Sequence, residues 1–266
     1  MKTVVLIILM SVGFGSWSQF QFKAQDSLMG NYSHFSVDNF GRIYLSQNDV
    51  ILQFSNQYDT LFSTSLKQMS PTSLESSKSF RTLVFDQERS VIHFLDNTLT
   101  DIHGEIDLVL MGVQQAVLVC ESFAGNTFWV LDEANMRLIK MNENLEVISQ
   151  TENLITLFEG ENLPNQMIES NDFLFVCIPG IGVGVFDVFG TFIRMYPCAP
   201  DRIDVSNNYL LIQSGNKVEV VPLESFLDTE LVYPLPEGVK EFSFSNDKVY
   251  LLKDNGLFIG SFEKQD

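Results

Sequence analysis

The chain has 266 residues, of which 45% are hydrophobic, and it carries 34 acidic against 16 basic side chains, a formal net charge of −18. This excess of negative charge repels phosphate backbones and anionic lipid headgroups, so nucleic acid and anionic membrane surfaces are excluded as expected partners. The acidic side chains are scattered and do not form the like-charged block that is typical of a disordered tail, which indicates a globular protein.

The first predicted element is an N-terminal leader. A single lysine precedes an apolar run from Val4 to Phe14, and small residues follow at Ser16 and Ser18, which is the layout of a cleavable secretory signal. The apolar run is too short to cross a bilayer comfortably. We predict a signal peptide over residues 1–18 and a mature domain over residues 19–266 without a membrane span. The expected location is the periplasm or the outer membrane, and the cell surface is a further possible destination.

Six hairpin patterns follow along the chain. Each joins two short runs rich in Val, Ile, Phe and Tyr through a turn rich in Asn, Asp, Ser or Gly, which predicts strands and tight turns. They begin at His34, Thr82, Val117, Gln166, Ile203 and Glu241. No long helical stripe is found, and the best short helical candidates, SPTSLESSKSF and PLESFLDTEL, are assigned to connections. The sequence therefore predicts an all-β fold.

Further strand-like runs follow most hairpins, so each repeated unit has about four strands. Sharing the mature domain among six units gives about 41 residues per unit, within the range of a four-stranded propeller blade. We therefore predict a single six-bladed β-propeller. Because the spacing between successive turns is uneven, five or seven blades remain as alternatives.

The two ends of the mature domain complement each other. The last unit contains only three strand-like runs, whereas the segment QFQFKAQ at the start alternates apolar and polar residues and has no partner of its own. An open seam would expose unpaired strand edges. We therefore predict that Gln19 to Gln25 forms the outer strand of the last blade.

The turn segments carry a family resemblance. The stretches VDNFGRIYLS from Val37 and SNDKVYLL from Ser245 resemble those of six-bladed β-propellers of the broad NHL and YVTN type. The resemblance covers most of the mature domain and implies the fold and, by analogy, a binding role. The leader and the triplets Asp26–Leu28 and Asp59–Leu61 are also similar to exported proteins of the Bacteroidetes group, whose O-glycosylation sites such triplets resemble.

The residues that most often perform chemistry are dispersed along the chain. They are Cys120, Cys177, Cys198, His34, His93 and His103. Cys120 and Cys177 lie in apolar runs and are expected to be buried, and pairing of Cys177 with Cys198 stays open. The histidines have no fixed carboxylate partner, nucleophile motif or zinc-type spacing. We expect no catalytic residue, no metal site and no cofactor.

Two motifs that suggest ligands are better explained by the fold. The glycine-rich stretch from Gly180 to Gly190 has strands on both sides, whereas a dinucleotide-binding loop is followed by a helix. We expect it to be a strand connection that packs closely near the ring axis. The pairs of Asn and Asp that recur in the hairpins are assigned to turn formation and not to calcium binding.

The candidate binding residues lie in connections that should share one face of the propeller. This face carries the turns between second and third strands and the connections between blades, and loops on a rigid scaffold are where binding residues concentrate. The candidates are Asn48, Asp49, Gly180, Gly182, Gly184, Asn216, Lys217, Asp254 and Asn255. The longer connections beside them vary in length and contain prolines, which suits a protein partner.

The sequence therefore predicts an exported, noncatalytic propeller that binds another protein. Its expected role is an accessory or scaffold subunit of cell-envelope machinery for secretion, motility or surface assembly. The alternative is a small-molecule hydrolase, because the chain also resembles calcium-dependent six-bladed lactonases, which use acidic and amide side chains at the central channel. The side chains available for that chemistry are Glu121, Asn126, Glu169, Asp204 and Asn246.

Overall fold

The computed structural model describes residues 20–76, 80–122, 126–155, 157, 162–225 and 229–265. The predicted signal peptide and Gln19 lie outside this part of the chain. The described strands form six four-stranded antiparallel sheets arranged as a six-bladed β-propeller, so the predicted fold class and blade number are confirmed. Within the described ranges, no helix has the length and apolar character that crossing a membrane requires.

Each blade runs from an innermost strand at the central channel to an outermost strand. Blade 1 contains β2 (His34–Val37), β3 (Ile43–Gln47), β4 (Val50–Phe54) and β5 (Thr60–Ser65). Blade 2 contains β6 (Ser73–Glu75), β7 (Thr82–Asp86), β8 (Val91–Leu95) and β9 (Ile106–Asp107). Blade 3 contains β10 (Ala116–Glu121), β11 (Thr127–Asp132), β12 (Arg137–Asn142) and β13 (Val147–Gln150), with a 3-10 turn at Glu133–Asn135.

The second half of the ring follows the same plan. Blade 4 contains β14 (Gln166–Ser170), β15 (Phe173–Ile178), β16 (Gly182–Asp187) and β17 (Phe192–Pro197). Blade 5 contains β18 (Arg202–Ser206), β19 (Tyr209–Ser214), β20 (Lys217–Pro222) and β21 (Leu231–Pro234). Blade 6 contains β22 (Glu241–Ser245), β23 (Lys248–Lys253), β24 (Gly256–Lys264) and, as its outermost strand, β1 (Phe20–Met29).

The seam closes as the sequence predicts, with a longer strand than expected. Strand β1 pairs antiparallel with β24, from Phe20 opposite Lys264 to Met29 opposite Gly256, with a register shift between Ala24 and Asp26. The first strand of the domain therefore completes the last blade and covers the edge that β24 would otherwise expose.

The hydrophobic core is divided among the interfaces between neighbouring blades. Each interface has its own apolar cluster, because side chains alternate between the two faces of a sheet. In β11, Phe128 and Val130 pack towards blade 2, and Trp129 and Leu131 pack towards blade 4. A strand that is buried on both faces has apolar residues at successive positions and not at every second position. This explains the continuous apolar run of β11.

Polar side chains stabilise the tight turns between strands. In the turn after β16, the Asp187 carboxylate accepts hydrogen bonds from the backbone N–H groups of Phe189 and Thr191 at 2.9 and 2.8 Å, and Gly190 has a φ of 90°. In the equivalent turn of blade 2, Asp96 binds two backbone N–H groups in the same way. The Asn and Asp residues between first and second strands also lie in tight turns, with positive φ at Asn171, Asp172, Asn207, Asn246 and Asp247, so they act in turn formation, as the sequence predicts.

Blade 2 departs from the predicted repeat. The hairpin that begins at Thr82 consists of β7 and β8, the second and third strands, whereas the other five patterns form first and second strands. The innermost strand of this blade is β6, within the segment SPTSLESSKSF that the sequence assigns to a connection with helical character. A strand of three residues is too short to show alternation, so the pattern concealed it.

Candidate functional site

The two faces of the ring carry different connections. The upper face carries the turns between second and third strands and the connections from each blade to the next. The lower face carries the turns between first and second and between third and fourth strands. This arrangement follows from the antiparallel order of every blade, and it confirms the topology on which the candidate binding face rests.

The upper face is fixed by one hydrogen bond that recurs around the ring. A leucine that follows the outermost strand, directly in blades 1, 2 and 5 and as the fourth residue in blade 3, donates its backbone N–H to a carbonyl of the preceding turn between second and third strands. The pairs are Leu66 with Asp49, Leu108 with Ser90, Leu154 with Met136, and Leu235 with Asn216, at 2.7 to 2.9 Å. All four leucine side chains are buried, so each connection is tied to its blade by a backbone bond and an apolar contact.

The residues after these leucines differ between blades. Polar side chains follow in blades 1 and 5, whereas blades 2 and 3 continue with apolar ones. Val109 and Leu110 after Leu108 are 52% and 77% exposed, and Ile155 after Leu154 is 62% exposed. Leu163, in the connection to blade 4, is also exposed. We call Val109, Leu110, Ile155 and Leu163 the apolar patch.

Two equivalent turns hold the apolar patch outward. The Asp107 carboxylate accepts hydrogen bonds from the backbone N–H groups of Val109 and Leu110 at 2.8 and 3.3 Å. In the next connection, the Asn153 side chain accepts one from the N–H of Ile155 at 2.8 Å. Ordered turns therefore hold these aliphatic side chains at the surface, although burying them would lower the free energy of the folded protein.

The turn between second and third strands of blade 3 joins these two connections. On one side, the Arg137 guanidinium donates to the Gly112 carbonyl at 3.4 Å. On the other, the Asn153 amide donates to the Asn135 carbonyl at 3.2 Å. The two halves of the apolar patch therefore lie on either side of one turn and form one sector of the upper face.

The predicted binding residues lie in other sectors. Six of them are in upper-face turns of blades 1, 4, 5 and 6: Asn48, Asp49, Gly180, Asn216, Asp254 and Asn255. Lys217 is the first residue of β20, next to the turn of blade 5. Gly182 and Gly184 are instead buried in the third strand of blade 4, where no partner can reach them, and this strand is not near the ring axis. A Cβ on Gly182 would lie 2.6 Å from the Tyr196 carbonyl oxygen, so close strand packing explains the glycine.

The sequence interpretation missed the apolar patch because the aliphatic run around Leu108 resembles a strand. A detectable signal exists in the repeated order of Asp or Asn, then Leu, then an exposed aliphatic residue, in DLV from Asp107 and NLI from Asn153. Such a signal becomes informative only when the leucine is known to be buried.

The central channel is a polar cavity of about 490 Å³ bordered by the innermost strands. Carboxylates on the channel wall accept hydrogen bonds from backbone N–H groups of neighbouring blades. Glu241 of blade 6 accepts a hydrogen bond from the Phe35 N–H of blade 1, Glu75 of blade 2 from the Glu121 N–H of blade 3, and Asp204 of blade 5 from the Phe244 N–H of blade 6.

The remaining interfaces at the channel have polar links as well. Ser36 accepts from the Ser76 N–H, Gln166 accepts from the Ile203 N–H, and the Ser122 hydroxyl donates to Glu169. The innermost strands of different blades belong to separate sheets, so these side chains supply the bonds that join the inner strands of the ring.

The side chains considered for hydrolysis are spread over several environments. Asp204 and Asn246 line the channel. Glu121 is fully buried in an ion pair with Arg81 at 2.6 Å, between blades 2 and 3. Glu169 is fully buried beside the Lys140 ammonium at 3.1 Å, between blades 3 and 4. Asn126 has a left-handed backbone just before β11.

Two histidines have carboxylate partners, contrary to the sequence expectation. His34 Nδ1 lies 2.7 Å from Glu241 Oε1 across the interface between blades 1 and 6. His93 Nδ1 lies 2.6 Å from Asp101 Oδ2 within blade 2. Neither pair includes a nucleophile in the described contacts, and both pairs fix local structure.

All three cysteines are free thiols, so Cys177 and Cys198 are not paired. Cys120 and Cys177 are buried, as predicted. Burial raises the pKa of the Cys177 and Cys198 thiols to about 12, so both are protonated at neutral pH and are weak nucleophiles. Over the described ranges, no group of three or more His, Cys, Asp or Glu residues is placed to hold a metal ion.

Solved structures with the same architecture come from different functional contexts. The WD40 domain of Pan2 from Neurospora crassa matches with a TM-score of 0.60 and 13% identity, covering 92% of this chain and 96% of that chain. A streptogramin B lyase matches with a TM-score of 0.64 and 12% identity, covering 92% and 97%. BBS1N in complex with ARL6DN matches with a TM-score of 0.56 and 13% identity, covering 84% and 75%.

These similarities establish the propeller fold and no shared activity, because all three identities are low and one fold hosts many functions. No protein-family model and no curated protein matches the chain.

Proposed function

We propose that the chain is an exported, noncatalytic propeller that binds another protein through its upper face, as an accessory or scaffold subunit of cell-envelope machinery. The observation that carries this proposal is the apolar patch. Leu110, Ile155 and Val109 are more than half exposed, and their backbone N–H groups donate hydrogen bonds to the side chains of Asp107 and Asn153, which hold them outward. Exposed aliphatic groups on a rigid surface are typical of protein-binding sites.

The anchoring of the surface supports the same proposal. Leu108 and Leu154 fasten the two connections to the core on the inner side of the exposed residues. A partner that covers the patch therefore orders few additional residues of this chain, which reduces the entropy cost of association. The propeller acts as a preformed platform.

The envelope location rests on the predicted leader and on the acidic composition. A strongly negative surface disfavours nucleic acid and anionic lipid, which leaves protein as the preferred partner. Propellers of this architecture include one solved in a protein complex, BBS1N with ARL6DN. Mass spectrometry of the purified exported protein tests the leader, with a mature N terminus at Gln19 as the expected result.

A calcium-dependent hydrolase is the second candidate, because Asp204, Glu75 and Glu241 bring carboxylates to the channel wall. Since each of these carboxylates accepts a backbone hydrogen bond from a neighbouring blade, a calcium ion would compete with the bonds that join the blades. The hydrolase predicts that calcium raises the melting temperature by mass action. A melting temperature that calcium leaves unchanged favours the noncatalytic propeller.

The deciding experiment compares variants in the native cell envelope after mild crosslinking. Leu110→Asp and Ile155→Asp place charges in the apolar patch, whereas Leu61→Asp places one at a 43% exposed apolar residue of β5 on the outer rim. We expect a stoichiometric envelope protein to copurify with the wild type and with Leu61→Asp, and to be lost from the two patch variants. A partner retained by both patch variants, or no partner for the wild type, refutes the proposal.

A further inference from the structure

A second candidate site lies on the lower face, away from the apolar patch and from the central channel. A cleft of about 310 Å³ opens between blades 3 and 4. Ile148 of β13 and Val188 and Phe189 of the turn after β16 form its apolar walls. Phe189 is 73% exposed and Ile148 is 54% exposed, so an occupant would bury an aromatic ring face and a branched aliphatic side chain.

The inner end of the cleft contains a buried ion pair between Lys140 and Glu169. The Lys140 ammonium lies 3.1 Å from Glu169 and donates to the Val188 carbonyl at 3.0 Å. It also lies 5.0 Å from the centre of the Trp129 ring, and the Trp129 indole N–H donates to Glu169 at 2.5 Å. Because Lys140 and Glu169 neutralise each other, a charged group at the inner end would lose hydration without gaining a counter-ion. Asp172, exposed at the cleft, adds a further negative charge to the lining and disfavours an anionic occupant. The inner end of the cleft therefore favours a neutral group.

Two hydroxyl groups in the cleft lack hydrogen-bond partners among the described residues. Thr127 lines the cleft and is only 9% exposed, and its Oγ1 has no partner within the structure. Ser149 also lines the cleft, and its Oγ is likewise without a partner. Buried polar groups are almost always satisfied, so unsatisfied hydroxyls beside a cavity indicate a missing binding partner. A hydroxyl both donates and accepts, and another hydroxyl matches it well.

We infer that the cleft between blades 3 and 4 binds a neutral aromatic group that carries a hydroxyl, that is, a phenol. The ring would stack on Phe189 and pack against Ile148, and the phenolic hydroxyl would reach the hydroxyls of Thr127 and Ser149 after small rotations of their side chains. The cleft volume is at the lower end of the range of ligand sites and accommodates one substituted ring. This inference does not depend on the proposed function, because the cleft and the apolar patch lie on opposite faces.

The test uses four probes that separate the hydroxyl from the ring. They are p-cresol, toluene, N-acetyl-tyrosinamide and N-acetyl-phenylalaninamide, each titrated into the full chain and followed by ligand-observed NMR. We expect p-cresol to bind about tenfold or more tightly than toluene, because the hydroxyl satisfies buried polar groups. Tight binding of N-acetyl-tyrosinamide identifies a protein side chain as the source, and binding of p-cresol alone identifies a free small phenol.

Two threonine variants test whether the Thr127 hydroxyl causes the preference for p-cresol over toluene. Thr127→Val removes the unpartnered hydroxyl with little change of shape and should bring the affinities for p-cresol and toluene together. Thr82→Val is the matched control, because Thr82 is also a buried threonine whose hydroxyl has no partner, but it lies in β7 of blade 2. No binding of any probe overturns the inference, and so does a preference for p-cresol that Thr127→Val leaves intact.

Discussion

The Glu241 carboxylate joins the last blade to the first. Its Oε2 accepts a hydrogen bond from the Phe35 backbone N–H at 3.3 Å, and its Oε1 lies 2.7 Å from His34 Nδ1. Arg202 of blade 5 approaches the same carboxylate at 3.4 Å. One side chain thus links three blades at the channel, next to the short connection from β1 of blade 6 to β2 of blade 1.

Replacing Glu241 by alanine should weaken the interface between blades 6 and 1. The Phe35 N–H would lose its acceptor, and His34 and Arg202 would lose a charged partner, so we expect the free energy of unfolding to fall by about 1–3 kcal/mol. Glu241→Gln retains an acceptor oxygen and should lose less. Urea unfolding measures both, with the exposed Glu237→Ala as the control. Equal losses for Ala and Gln would show that the backbone hydrogen bond contributes nothing.

Replacing Lys140 by methionine should destabilise the interface between blades 3 and 4 strongly. Glu169 is fully buried, and without the ammonium its charge would rely on the Trp129 and Ser122 hydrogen bonds alone. Breaking a buried pair on one side typically costs about 3–5 kcal/mol.

The double variant Lys140→Met with Glu169→Gln removes both charges and should recover a large part of the lost stability in urea unfolding. Lys217→Met is the control, because Lys217 pairs with Glu219 at the surface and exposed pairs contribute about 0–1 kcal/mol. A double variant as unstable as Lys140→Met alone would contradict the charge explanation.

Asp204 makes stability depend on pH. Burial in the channel wall raises its pKa to about 6, against the opposing hydrogen bonds from Phe244 and Val205, whereas an unfolded aspartate titrates near a pKa of about 3.9. Between these values the folded state binds more protons than the unfolded state, so the free energy of unfolding falls as pH rises from about 4 to about 6.

Asp204→Asn should abolish this fall, because asparagine is neutral and can still accept the Phe244 N–H. Relative to the wild type, the variant should therefore gain stability as pH rises through this window and keep the gain above it. Urea unfolding at several pH values measures the difference, and Asp254→Asn in an exposed turn is the control. Parallel stability curves for Asp204→Asn and the wild type would contradict the assignment.

The propeller was predictable because its local chemistry repeats. The turns that begin at Asp187 and Asp96 use the same side-chain bonds, and the runs beside them have strand composition, so the unit length follows from the sequence. Closure by β1 was predictable from an unpaired segment at each end. Strand β6 was missed, because a strand of three residues is too short to show an alternating apolar and polar pattern. Its assignment depends on its pairing with β7, which only the folded structure shows.

The candidate site was predictable only in part. The sequence indicated the upper face through its connections, but it could not place Leu110 and Ile155 on either side of one turn of blade 3. Hydrogen bonds from Arg137 to Gly112 and from Asn153 to Asn135 fix that arrangement. Whether an aliphatic residue is buried or exposed depends on the ring, since Leu108 and Leu110 have the same side chain and opposite environments. The cleft likewise needs two blades in contact before it exists.

The seam depends on a glycine in β24. A Cβ built on Gly260 would lie 2.0 Å from the Lys23 carbonyl oxygen and 3.0 Å from the Ala24 Cα. Both contacts are to backbone, where the register of β1 shifts after Ala24, so a side-chain rotation cannot relieve them. Gly260→Ala should therefore push β1 away from β24.

The expected result of Gly260→Ala is a partly open seam. The edge of β24 becomes available to a second copy, so size-exclusion chromatography should show concentration-dependent association, and hydrogen exchange should accelerate in β1 and β24 before the other blades. The neighbouring Ser261→Ala is the control, because it removes only a surface hydrogen bond from Gln25. A monomeric Gly260→Ala variant with protected β1 amides would show that the seam tolerates the extra methyl group.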